Sequence, residues 1–200
     1  MLPLMTNEFI NLISDFTYER KKTTGSCSFL EYGSGYSTTF WAEKNFIDNI
    51  VSVEANLDWS LEVKEKIKKI SEKDAGKISY NVFPVKDDIL LTGIPGIKAW
   101  SNKYENVWSD YTNFAKENFS KSSFDFIIID GHDRKRCFIN CVDLLKKGGM
   151  ILFHDMTVQD FEKYDPIDVK IDNYHDILSI DNYVNFGSGR GNIGFVGIKK

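Results

Sequence analysis

Apolar runs and stretches of helical spacing alternate along this chain, and together they predict its elements. Phe9, Ile10, Leu12, Ile13 and Phe16 recur at helical spacing, which predicts an amphipathic leading helix over residues 6–20. Apolar runs predict strands at 27–32, 50–54 and 78–83, with helices between them at 37–44 and 57–73; Leu61, Val63, Ile67 and Ile70 form the apolar stripe of the second. The run over 124–130 is almost continuously apolar, which suits a central parallel strand buried on both faces. A helix over 133–146 is expected to stop at Lys147-Gly148-Gly149, with a fifth strand at 150–153 and a short helix at 157–164. Two last strands, 177–183 and 193–198, flank Gly187, Gly189 and Gly191 and read as an antiparallel hairpin. Strand and helix in alternation, closed by a hairpin, predict an α/β fold with a doubly wound, mostly parallel sheet. One domain over residues 1–200 accommodates it, since 200 residues at 42% hydrophobic content bury a real core.

Residues 84–121 interrupt this rhythm. Pro84, Gly93, Pro95 and Gly96 punctuate the first part, and a helical piece carrying Tyr104, Val107, Trp108, Tyr111, Phe114 and Phe119 follows. Three roles are open for so aromatic an insertion: a lid, an oligomer contact or plain core packing.

Composition narrows the partners. The net charge is −4, and the densest basic stretch, Arg134-Lys135-Arg136, reads as a solvated helix face, so no nucleic acid is expected. The start, Met1-Leu2-Pro3-Leu4-Met5, lacks a basic leader region, and no run has the length of a membrane span. Three cysteines fit a reducing, cytoplasmic setting, with Cys137 and Cys141 as buried small hydrophobes.

The most informative segment is Phe29-Leu30-Glu31-Tyr32-Gly33-Ser34-Gly35-Tyr36-Ser37: a strand, a tight glycine turn and a helix start, as in the first turn of a nucleotide-binding α/β unit. A dinucleotide fingerprint wants a third glycine where Thr38 stands, and Glu31 would repel a pyrophosphate. A ligand with a cationic end, such as the ammonium and sulfonium of S-adenosylmethionine, suits Glu31 better. Glu54 closes the next strand about 20 residues on, where such folds hold ribose hydroxyls.

Ligands of such sheets bind outside the carboxyl ends of the strands, and those ends carry Glu31, Glu54, Asp130 and His154-Asp155. Asp130-Gly131-His132 and His154-Asp155 end strands expected to be neighbours. Two chemistries compete there. Asp130 and Asp155 could hold a divalent cation such as Mg2+ that acidifies a substrate hydroxyl. Alternatively His132 or His154 is a general base and no metal is needed. Arg190 could clamp an acidic substrate or be plain surface, and His175 reads as surface.

Taken together, Glu31-x-Gly33-x-Gly35 with Ser37-Thr38, Ser52-Val53-Glu54 with Trp59, residues 125–132 with Arg134 and Cys137, Leu144-Leu145-x-x-Gly148-Gly149 and His154-Asp155 resemble the class I S-adenosylmethionine-dependent methyltransferases, over about residues 27–198. The resemblance implies a seven-stranded sheet with the last strand inserted antiparallel. It places Glu31, Gly33, Ser34, Gly35, Ser37 and Thr38 around the methionine end, Glu54 on the ribose, Asp87 or Asp88 near the adenine, and Asp130 beside the cofactor. The Asp130-Gly131-His132 and His154-Asp155 pieces resemble small-molecule O-methyltransferases of sugar and catechol type. Those usually carry a third oxygen ligand beside the second Asp, where this chain has His154 and Met156. The expected activity is methyl transfer to a hydroxyl of a small molecule or sugar, with Asp130, His132, His154 and Asp155 as catalytic candidates. The alternatives are an N-methyltransferase, a non-catalytic binding protein of the same fold, and a nicotinamide-dependent oxidoreductase, the last opposed by Thr38 and Glu31. A homo-oligomer is left open.

Overall fold

The computed structural model describes residues 3, 5–85, 105–158, 161, 171–174, 176–181 and 194–200. In chain order these form α1 (Asn7–Thr24), β1 (Ser28–Tyr32), α2 (Tyr36–Ala42), β2 (Asn49–Glu54), α3 (Leu57–Ile67), α4 (Glu72–Ala75) and β3 (Ile78–Val82). Then follow α5 (Glu105–Asn118), β4 (Phe124–Ile129), α6 (Arg134–Cys141), β5 (Leu145–His154), β6 (Leu178–Asp181) and β7 (Gly194–Lys199). The seven strands lie in the order β3-β2-β1-β4-β5-β7-β6. β1 to β5 pair in parallel, and β7 runs antiparallel to both β5 and β6. This is the predicted doubly wound sheet, with its last strand inserted antiparallel. The strand order reverses between β1 and β4, so the crevice for a ligand opens at their carboxyl ends.

Apolar residues fill both faces of the sheet, as parallel strands require. On one side Phe9, Ile10 and Ile13 of α1 and Trp41 of α2 pack on Phe29, Phe126 and Ile128; Phe29 and Phe126 stack with centroids 5.0 Å apart. On the other side Trp108, Tyr111 and Ala115 of α5 and Cys137, Phe138 and Cys141 of α6 cover Leu30, Tyr32, Ile127 and Ile129. Both helical cysteines are therefore buried hydrophobes, as expected, and the described aromatics of the insertion pack on the core.

Several boundaries differ from the periodic reading. The stripe over 57–73 breaks in two because Ser71 caps α4, its hydroxyl accepting from Asp74 N at 3.1 Å. The helix expected over 133–146 ends at Cys141, and Lys146 to Gly149 belong to β5. Leu145 pairs with Phe124 ahead of a register irregularity, and Gly148 takes φ +68, so the glycine pair bends a strand where a helix end was expected. Lys135 and Arg136, expected on a solvated face, are buried. The short helix at 157–164, Asp87, Asp88, His175 and Arg190 fall wholly or largely outside the described residues.

One buried charge joins four elements. Asp125 on β4 is fully buried and accepts from Arg20 Nε of α1 at 2.9 Å, Lys146 Nζ of β5 at 2.7 Å and the backbone N of Ser28 on β1 at 3.0 Å. Removing one partner of a buried ionic group leaves the others uncompensated. Asp125→Ala is expected to cost about 3 kcal/mol of unfolding free energy or more in urea melts; a loss under about 1 kcal/mol, typical of an exposed pair, would contradict this role.

Candidate functional site

The glycine turn after β1 is shaped by one close approach. Gly33 has φ +92, and its N donates to Val53 O at 2.9 Å. A Cβ on Gly33 would lie 2.5 Å from the backbone N of Gly131, in the turn after β4. A Cβ on Gly131 would in turn strike the Tyr111 hydroxyl. Glycine at both places lets the β1 and β4 turns touch. Gly35 differs: its φ is −179, and a Cβ there would make ordinary contact with Trp59 at 3.8 Å.

Glu31 lies beneath this turn. Its carboxylate is fully buried and accepts from Ser37 Oγ, from Thr38 Oγ1 at 2.6 Å and from Ser52 Oγ at 2.8 Å. Burial pushes its pKa up to about 7 against the opposing pull of these three hydroxyls. Thr38 explains the missing third glycine, since its Oγ1 also accepts from Gly35 N at 3.1 Å and fastens the turn to the buried acid. Glu31, Ser37 and Thr38 thus support the turn from behind and do not line the cleft in front of it.

Glu54 faces that cleft. Its Oε2 accepts from Ser34 N at 2.9 Å and Ser34 Oγ at 2.7 Å, and its Oε1 from Ala55 N and Asn56 N, both at 2.8 Å. Asn56 caps α3 by accepting from Trp59 N at 2.9 Å, and Trp59 Nε1 donates to Ser34 O at 2.7 Å. The β1 turn is thereby tied to the end of β2 through backbone and side chain alike.

The opposite wall comes from β4 and β5. Asp130 Oδ1 lies 2.9 Å from His154 Nδ1 and 3.4 Å from an Arg134 guanidinium nitrogen. The same guanidinium nitrogen of Arg134 donates to Asp130 O at 3.1 Å. His154 is buried behind Asp130, against the edge of Phe9. Asp155, at φ +53, comes within 4.0 Å of the same His154 nitrogen. His132 lies on the wall with its ring stacked on Trp108 of α5, centroids 5.2 Å apart. Its pKa is lowered from 6.5 by burial and then by the Arg134 charge, so the neutral imidazole is favoured.

These walls enclose a cleft of about 610 Å³, within the usual range for a small-molecule site. Gly33, Ser34, Glu54, Asp130, His132 and Asp155, all predicted from the sequence, line it. Asn56, Trp59, Gly131 and Arg134 line it as well and were not among the predicted site residues. Two of them carried a readable signal: Asn56 stands where a helix N-cap belongs, and Arg134 lies one helical turn beyond Asp130.

No protein-family model matches the chain, and no curated protein matches it. Solved structures do. A methyltransferase-like protein from Silicibacter pomeroyi is 17% identical, with a TM-score of 0.60 over 99% of this chain and 88% of that one. An O-methyltransferase from Bacillus cereus, in complex with SAH, is 18% identical, with a TM-score of 0.56 over 94% and 81%. The O-methyltransferase TomG from Streptomyces achromogenes, in complex with SAM, is 13% identical, with a TM-score of 0.52 over 92% and 77%. The fold is that of the class I S-adenosylmethionine-dependent methyltransferases. At these identities the likeness speaks for the fold alone.

Within this methyltransferase fold, Asp130, His154 and Asp155 bring three potential metal ligands within 4.8 Å of one another. Their chemistry does not fit magnesium. Mg2+ prefers an all-oxygen octahedron, whereas here an imidazole nitrogen lies at the centre and Asp130 Oδ1 already faces Arg134. Met156 supplies no further oxygen.

Two outcomes follow for the turn. Gly33→Ala, forced into positive φ and against Gly131, is expected to lower the melting temperature by several degrees; an unchanged melt would show that the two turns can part freely. For Glu31, the folded-state pKa lies above the ordinary 4.5, so the folded chain holds this proton more tightly than the unfolded one. The stability it contributes is full below pH 4.5 and is lost as pH rises through about 7, a span on the order of 3 kcal/mol. Glu31→Gln is expected to flatten the stability profile across that window, measured by urea unfolding; an unaltered profile would mean that Glu31 is ionised throughout.

Proposed function

We propose that this chain transfers a methyl group from S-adenosylmethionine to a hydroxyl of a small molecule or sugar. The observation that carries this reading is a single cleft with two unlike walls. One is the Gly33–Ser34 turn fixed to Glu54; the other presents His132, whose pKa is lowered by burial and by Arg134, beside Asp130 and Asp155. The SAM and SAH complexes of two structures sharing the fold support it.

The residues fit such a cofactor. Gly33 opens close backbone approach, and Glu54 offers a carboxylate to ribose hydroxyls. Its four acceptor positions are taken, so Glu54 would hold a ribose diol by giving up the Ser34 hydroxyl, which would keep Tyr80 OH, at 2.8 Å, as its partner. When bound, the cofactor supplies an electrophilic methyl whose C–S bond breaks as the acceptor O–C bond forms, the electron pair passing to sulfur. His132 takes the hydroxyl proton; a depressed pKa keeps it in the accepting form at neutral pH. Asp130, held by Arg134 and His154, positions the acceptor against it.

The test is label transfer from methyl-labelled S-adenosylmethionine to a panel of hydroxylated small molecules and sugars with matched amines, with and without a chelator. A methylated hydroxyl product, insensitive to chelation, is expected. The rate should rise with pH along a limb whose midpoint lies below 6.5, because protonation of His132 removes the base. His132→Ala should lower kcat roughly a hundredfold and abolish that limb. Transfer to amines alone, activity that needs added magnesium, or an intact limb in the variant would each contradict the proposal.

A further inference from the structure

The first turn of α6 holds a surplus of buried donors. Among the described residues five buried side-chain nitrogen or oxygen atoms have no hydrogen-bond partner, and three of them are Arg134 Nε, Arg136 Nε and Arg136 Nη2. The Arg136 side chain is only 9% exposed, and its one ion pair uses Nη1, at 2.7 Å from Asp133 Oδ2. What remains is the Nε/Nη2 edge, two parallel N–H groups that match the two oxygens of a carboxylate or phosphate. A buried donor without an acceptor costs free energy, and native structures keep one for a reason, an absent ion or ligand among them.

Two independent features point the same way. Asp133, at φ +44, makes no side-chain cap hydrogen bond to the first turn of α6; its carboxylate pairs with Arg136 Nη1, and the positive end of the helix dipole lies at the same turn as the fork. The location is also suitable. Asn140, one turn beyond Arg136, donates to Thr112 O at 3.2 Å and Asn113 Oδ1 at 2.8 Å, so this side of α6 faces α5. The Trp108–His132 stack at the cleft wall joins α5 to the turn that leads into α6.

We propose that the Nε/Nη2 fork of Arg136 binds an oxyanion, a carboxylate or phosphate, carried by the methyl acceptor. The assignment to the acceptor rests on the methyl-transfer reading; the anion site itself does not. The acceptor would present its hydroxyl to His132 and its anionic end to the α5–α6 seam.

The test has two arms. In the first, the purified protein is titrated with sodium phosphate and with sodium chloride at equal ionic strength while its melting temperature is followed. Phosphate is expected to stabilise beyond chloride. Arg136→Gln should erase the difference, and the exposed-site control Lys69→Gln should keep it. Arg136→Lys, which retains charge without the fork, should bind phosphate roughly tenfold more weakly or worse. Equal responses to the two salts, or a phosphate response that survives in Arg136→Lys at full strength, would overturn the site. The wild-type salt comparison decides even if Arg136→Gln does not fold.

In the second arm, hydroxylated acceptors bearing a phosphate or carboxylate are compared with their dephosphorylated or amide counterparts. The anionic member should show a KM lower by roughly tenfold or more, and Arg136→Lys should close that gap with kcat and S-adenosylhomocysteine affinity retained. Phosphate binding without such a preference would make the ligand a free anion and overturn the assignment to the acceptor. Failure of the wild type to bind S-adenosylhomocysteine would instead defeat the methyl-transfer reading and leave the first arm to judge Arg136.

Discussion

The contact between Gly33 and Gly131 is the constraint on which the site depends. It brings the turns after β1 and β4 together where the strand order reverses, with no side chain between them. Much of the cleft hangs from those turns. Ser34 follows Gly33 and reaches Glu54, while Asp130 and His132 flank Gly131. Behind the pair, Tyr111 fills the space that a side chain on Gly131 would need. The aromatic helix α5 therefore belongs to the support of the site as well as to the core.

Three carboxylates near this crevice show how surroundings set their roles. Glu31 meets only hydroxyls, which lower the cost of its burial without supplying a positive charge, so it titrates near neutrality and serves as scaffold. Glu54 meets three backbone N–H groups and one hydroxyl at the cleft edge, which fixes it as an oriented acceptor. Asp130 sits between an imidazole and a guanidinium, with its side chain still 28% exposed to the cleft. On the methyl-transfer reading the first is scaffold, the second receives a ribose diol, and the third positions the acceptor beside the base.

The fold was legible because parallel strands buried on both faces leave long apolar runs, and because their polar termini fall on one rim. That is why Glu54, Asp130 and Asp155 could be named from strand ends, while Gly33 and His132 came from the turns that follow and Ser34 from the family resemblance. The direction of a side chain is another matter. Glu31 follows the right run, yet hydroxyls from positions 37, 38 and 52 close over it, a convergence of three elements that no local pattern announces. Lys147-Gly148-Gly149 has the composition of a helix stop, but the tie of Lys146 to Asp125 draws this stretch into β5. Arg136 reads as solvated because a run of three basic residues has the composition of a surface face, and the tertiary packing that buries it leaves no mark on that run. Arg134 and Trp59 act through bonds to backbone carbonyls, which composition does not reveal.

The central claim is that this cleft is built for the S-adenosyl group. Calorimetric titration of the ligand-free protein with S-adenosylhomocysteine, in magnesium and again in chelator, tests it most directly. The account predicts one-to-one binding with the same affinity in both conditions. No binding in either would contradict it and leave a methyltransferase fold put to some other use; affinity gained only with magnesium would contradict the metal-free reading of Asp130, His154 and Asp155.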